Sequence, residues 1–247
     1  MSLQTVLLVI EWLRNLLLCL ALYFGVKATL NILQGNFEDK VMQIKKPVFV
    51  LLISGILLLT IAMIIENAQG ILDKNFTTAS IILFSVSYAL LIIAFGYLWF
   101  HSSKLHKLHI ADLTFFLGVI AAVLIWVYYL LRSTIAIHSA SLSLLNKIVF
   151  FYHPIAVALI FLLTLRIHPI HKAKIIQTPI WYVSCGIFTY FLGYMMLAYS
   201  FIKPPAKLIP LLYSLFFLIS AGYFVLGFLI ANKKFGNDLQ KSQQKSI

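Results

Sequence analysis

The chain has 247 residues, of which 62% are hydrophobic and only 11% charged, at a mean hydropathy of +0.99; a soluble domain is roughly 45–50% apolar and ~25% charged. A water-soluble globule is excluded. The formal net charge of +12 does not mark a nucleic-acid binder either, because the basic residues are scattered through loops and a tail instead of forming one patch.

Apolar runs occur at Leu16–Leu33, Pro47–Ile65, Thr78–Phe100, Ile110–Leu131, Ile148–Leu165, Pro179–Ile202 and Leu208–Ala231. Each is close to the ~20 residues that a helical crossing takes. The runs are uniformly apolar, without the two-residue alternation of membrane strands, so helices are the only spanning element available. The expectation is an all-α integral membrane protein. A single bundle of seven transmembrane helices fills residues 1–231, and a short basic tail follows over 232–247.

Along the chain, the first run follows Glu11 and Arg14, an i,i+3 pair, and imitates the charged and apolar regions of a signal peptide. No small-x-small cleavage site follows. Leu16–Cys19 has the outline of a lipoprotein box, but Leu18 stands where a small residue is needed, so the run is read as a membrane helix. The second run ends at Glu66 and Asn67. After the third comes HSSKLHKLH, with His101, His106 and His109, and Asp112 three residues further on. The fourth ends at Arg132, and Tyr152 and His153 open the fifth, ahead of Pro154. HPIH, with His168 and His171, separates the fifth and sixth.

The last two runs are rich in tyrosine and glycine: Tyr182, Tyr190, Tyr194 and Tyr199, then Tyr213 and Tyr223, among Gly186, Gly193, Gly222 and Gly227. Helix packing is the favoured role for these, and a pocket for an aromatic or lipid-like ligand is the alternative. From Asn232 onward the chain is polar, which predicts a solvated, partly disordered end carrying four lysines near anionic lipid. Cys19 and Cys185 lie in apolar stretches with no disulfide or metal-ligand spacing.

Seven crossings alternate the loops between two sides. The side holding the N-terminus carries six basic residues, Arg14 among them, and the other carries twelve. The positive-inside rule then puts the N-terminus outside and the C-terminus in the cytoplasm, in a bacterial or archaeal cytoplasmic membrane. In this layout no ionisable residue sits near the midplane.

Two groups of residues are candidates for chemistry. On the outer side Glu66, Asn67, Arg132, Tyr152 and His153 lie at similar depth and can gather as a polar cup for a small ligand; ordinary boundary residues are the alternative. On the inner side His106, His109, Asp112, His168 and His171 can form a shell for iron or zinc; interfacial residues in two basic loops are the alternative. The histidine spacing resembles fragments of the histidine boxes of membrane desaturases and hydroxylases, without their adjacent His-His pairs or their full ligand number. No other cofactor is predicted.

Absences narrow the field. There is no lysine within Leu208–Ala231 for a retinal Schiff base, no G-x-S-G pattern, no Walker loop, no dinucleotide fingerprint and no H-E-x-x-H. In layout the chain resembles the seven-helix input regions of bacterial and archaeal signalling kinases and cyclases. That resemblance implies a receptor or sensor in contact with the lipid bilayer that works through a cytoplasmic signalling partner, since no output domain follows the last helix. A small-solute carrier or transporter accessory subunit ranks second and a membrane metalloenzyme third.

Overall fold

The computed structural model describes residues 3–34, 40–71, 78–103, 117–118, 120–129, 132, 152–167, 179–202 and 208–244, and all of these are helical. No strand occurs among the described residues. The helices are α1 (Leu3–Gln34), α2 (Lys40–Ile71), α3 (Thr78–Ser103), α4 (Ile120–Tyr129), α5 (His153–Ile167), α6 (Pro179–Ile202) and α7 (Leu208–Gln244). Five of them contain stretches long and apolar enough to cross a membrane, namely Leu3–Gln34, Lys46–Ile65, Thr78–Phe100, Pro179–Leu197 and Leu208–Asn237. The chain is therefore a helical, multi-pass membrane protein. The described parts of the expected fourth and fifth spans, Ile120–Tyr129 and His153–Thr164, are apolar but shorter than a crossing.

Prolines mark helix starts. Pro154, Pro179 and Pro210 each fall in the first turn of α5, α6 and α7, where the missing N–H has no helical partner to lose. α6 spans the run marked in the sequence, Pro179–Ile202, and α1, α2 and α7 outrun theirs by more than a turn. α1 begins at Leu3, thirteen residues before the expected Leu16, because neither glycine nor proline interrupts Leu3–Asn15 and single charges do not break a helix. α2 starts at Lys40, ahead of Pro47. α7 continues to Gln244, so the disorder expected from Asn232 gives way to helix. At ~1.5 Å per residue α7 is about 55 Å long, well beyond a ~30 Å hydrocarbon core.

Its continuation is held by packing. Phe235 is 1% exposed, with its ring edge-on to Phe49 of α2 at 5.4 Å. Asn31 of α1 donates from Nδ2 to Asn232 Oδ1 at 3.1 Å.

Six helices pack in the cyclic order α1, α2, α3, α5, α6, α7, with α7 returning to α1. The contacts of α7 with α1 and α6, and of α2 with α3, are far more extensive than those of α1 with α2 or α5 with α6. The ring therefore has two closely packed parts, α2–α3 and α6–α7–α1, and α5 packs less extensively against α3 and α6. α4 lies against α6 through Trp126, whose ring meets Phe191 at 5.5 Å. Most helices are apolar around their whole circumference, as lipid-bathed helices are. Large side chains such as Trp12, Leu16 and Tyr23 lie exposed on α1, and its buried face runs through Leu18, Ala21, Gly25, Ala28 and Ile32. Small residues on that seam let backbones approach. A Cβ on Gly25 would stand 3.1 Å from Ile53 of α2 and 3.4 Å from Phe228 of α7.

Candidate functional site

Of the five residues expected in an outer cup, the structure brings together Tyr152 and His153. Arg132 is exposed. Glu66 and Asn67 belong to the last turns of α2, and their side chains lie outside the described residues. His106, His109, Asp112, His168 and His171 also lie outside the described residues. Among the described residues no group of three or more His, Cys, Asp or Glu side chains is placed to hold a metal.

His153 opens α5 and is 5% exposed. It meets Ser85, which lies about 10 Å along α3 from its start at ~1.5 Å per residue, so the histidine sits deeper than a boundary residue. Ser85 Oγ donates to the Ile81 carbonyl one turn back at 2.8 Å. With its only proton committed there, Oγ meets His153 Nε2 at 3.1 Å as an acceptor, which requires the tautomer carrying hydrogen on Nε2. The Tyr152 hydroxyl donates to the Ser85 carbonyl at 3.0 Å. One turn of α3 thus anchors both residues that open α5.

From His153 an aromatic and hydroxyl line crosses the ring. The Tyr88 ring stands edge-on to the imidazole at 5.2 Å and 83°. Its hydroxyl lies 2.8 Å from that of Tyr190 on α6. α3 and α6 are not neighbours in the ring, so this pair spans its interior. Tyr88 lies about 15 Å along α3 and Tyr190 about 17 Å along α6, at half the depth of a ~30 Å hydrocarbon layer. The Tyr190 ring is 5.1 Å from Phe217 of α7, and the Arg14 guanidinium stands over Phe217 at 5.9 Å from the ring centroid.

Arg14 is where the structure departs most from the sequence reading. It is not a boundary residue preceding the first helix, because α1 begins at Leu3 and buries Arg14 and Asn15, each 8% exposed. Phe217 lies about 14 Å along α7, so this cation stands well inside the bundle, contrary to the expected absence of deep ionisable groups. A charge at such depth costs ~2.5–3.5 kcal/mol even on insertion scales. Its position over an aromatic face recovers part of that cost.

The line therefore joins α5, α3, α6, α7 and α1 through His153, Tyr88, Tyr190, Phe217 and Arg14. Tyr190 was visible in the sequence only as one of several tyrosines, while Ser85, Tyr88, Asn15 and Phe217 gave no isolated signal. Two patterns point to them in retrospect: Ser85 and Tyr88 at i,i+3 inside an apolar helix, and the adjacent polar pair Arg14-Asn15 inside an unbroken stretch from Leu3. The chain matches no protein-family model, no curated protein and no solved structure.

Proposed function

We propose that the chain is a receptor- or sensor-like signal-input module of seven membrane helices, outside at its N-terminus and cytoplasmic at its C-terminus, which acts through a cytoplasmic partner protein. The observation that supports this is the Tyr88–Tyr190 hydroxyl pair, 2.8 Å apart, a polar contact across the ring at mid-depth between α3 and α6, which are not neighbours in it. A small ligand taken up at the end of the bundle carrying Tyr152 and His153, with Glu66, Asn67 and Arg132 as further members of the cup, shifts the balance between two packings of these two helices. α7 carries the change inward. It is one continuous helix from Phe217 to Gln244, about 40 Å at ~1.5 Å per residue, and ends in the basic segment that a partner meets.

Arg14 favours a small-solute carrier as the second reading, because a buried cation at depth is also what an anion gate needs. The two readings differ in flux. Protein in lipid nanodiscs is heated with a panel of amino acids, short organic acids and nucleosides, and the same compounds are offered to proteoliposomes. The expected result is a compound that raises the unfolding temperature of the wild type, does so much less for His153→Phe, and is not accumulated. Accumulation of the stabilising compound overturns the sensor in favour of the carrier, and an undiminished shift in His153→Phe removes the site from this end of the bundle.

A further inference from the structure

We infer that the outward groove between α1 and α7 holds a phospholipid with a net negative headgroup, its phosphate between Lys27 and Lys233 and an acyl tail running toward mid-depth. The proposal is independent of the sensor reading. α1 and α7 run parallel, because Arg14 meets Phe217, Gly25 approaches Phe228 and Asn31 bonds Asn232. By that register Lys27 and Lys233 stand within about one turn, ~5.4 Å, of each other in depth. Lys27 comes one turn before Asn31 on α1. Lys233 comes one turn before Gly236 of α7, where a Cβ would stand 3.4 Å from Asn31 Nδ2. Both lysines are exposed, whereas Ala28 and Ile32 of α1 and Phe228 and Ala231 of α7 are buried, so the two lysines flank the Asn31–Asn232 bond on its outward side.

The donors select the headgroup. Neither lysine has an acidic partner among the described residues, and Asn232, which accepts through Oδ1, has no partner for its own Nδ2 among them. Phosphate oxygens suit all three groups, while a choline end would bring a cation toward two others. Residues 27–46 and 232–247 carry eight lysines against three acids, so the surrounding field also draws anions. The groove below the lysines selects a tail. Leu20 and Tyr23 precede Lys27 by seven and four residues, and Leu226 and Gly222 precede Lys233 by seven and eleven, so each set shares the face of its lysine. Leu20, Tyr23 and Leu226 are exposed, and nothing lies within 4 Å of a Cβ position on Gly222. From Lys233 to Gly222 is about 16 Å of helix, the depth of one leaflet in a ~30 Å hydrocarbon layer. A free phosphate would use only the lysine end of this groove, whereas a phospholipid uses its whole length.

The test titrates full-length protein in mild detergent with dioleoyl phosphatidylglycerol or dioleoyl phosphatidylcholine, which share their tails, and counts retained lipids by native mass spectrometry. Wild-type protein is expected to retain about one phosphatidylglycerol per chain and to bind phosphatidylcholine at least roughly tenfold more weakly. Lys27→Gln combined with Lys233→Gln is expected to abolish that preference. Lys234→Gln removes the same charge from a neighbouring face of α7 and is expected to change the preference by less than about threefold. Gly222→Leu, whose side chain enters open space, is expected to weaken both lipids and to leave the preference intact. Glycerophosphoglycerol, the same headgroup without tails, is expected to displace neither lipid. A preference that is absent in the wild type, or that survives in the double lysine variant, overturns the proposal. An equal loss in Lys234→Gln overturns it in favour of diffuse attraction, and displacement by glycerophosphoglycerol in favour of a free anion. Undiminished binding in Gly222→Leu overturns the placement of the tail in this groove.

Discussion

Ser85 is occupied on three sides: Oγ gives its proton to Ile81 and accepts from His153, while its carbonyl takes the Tyr152 hydroxyl. Replacing it by alanine removes one acceptor from the imidazole of His153, which the Ile81 backbone still faces. Interhelical hydrogen bonds in membranes average ~0.6 kcal/mol and rarely exceed ~2. Ser85→Ala is therefore expected to lose about 1 kcal/mol in reversible unfolding in mixed micelles. Thr189→Val serves as the comparison. The Thr189 hydroxyl bonds only carbonyls of its own helix, those of Cys185 and Gly186, so its loss is expected to be about half as large or less. His153 stood out in the sequence because a histidine before a proline at a helix start is unusual. Ser85 did not, since an isolated serine in an apolar helix is chemically unremarkable until a partner from α5 reaches it.

At the level of elements, close approach decides which substitutions are tolerated. α6 and α7 touch so closely that a Cβ on Gly186 would lie 2.7 Å from the Phe224 ring, and the Gly186 carbonyl accepts from Ser220 Oγ at 2.7 Å. Gly96 of α3 has nothing within 4 Å of the same position. Gly186→Ala is expected to cost about 1–3 kcal/mol through overpacking. Gly96→Ala is expected to be neutral or to stabilise by up to about 1 kcal/mol, since alanine is the better helix former. Thermal unfolding of the two variants side by side checks this contrast. Helix boundaries follow a related logic. Thr78 and Pro179 were legible as starts because the apolar pattern begins there together with a turn or proline signal. The true start of α1 was obscured because Glu11 and Arg14 cut the hydropathy profile without cutting the helix. The continuation of α7 depends on Phe235 meeting Phe49 and Asn232 meeting Asn31, partners that local sequence does not reveal.

For the whole molecule, the informative feature is unequal packing around the ring. Ser87 Oγ to the Gly55 carbonyl ties α3 to α2, and Ser85–His153 ties α5 to α3. Asn31–Asn232 ties α1 to α7, and Ser220–Gly186 ties α7 to α6. Tyr88–Tyr190 joins α3 to α6 across the ring. A double-mutant cycle with Tyr88→Phe and Tyr190→Phe is expected to give a coupling of about 0.6–2 kcal/mol. Spin labels on the ends of α3 and α6 are expected to report a broader distance distribution in either single variant. A cycle that closes to zero with unchanged distances would mean that apolar contacts, such as the stacked Phe161 and Phe191 rings at 4.2 Å, hold the ring together without this bond.

Composition and the length of the apolar runs determined that this is a helical, multi-pass membrane protein, because only helices satisfy every backbone group within one segment in lipid. Those same runs located five long helices to within a turn or several turns at their ends. Tertiary structure decided which polar residues matter. Depth in the membrane is a property of the helix a residue belongs to and of the helices beside it, so Arg14 passed from a boundary to the interior once α1 was seen to start at Leu3. Partnership is likewise a distance between helices, and Tyr88 with Tyr190, 102 positions apart along the chain, becomes a pair only when α3 and α6 face each other across the ring.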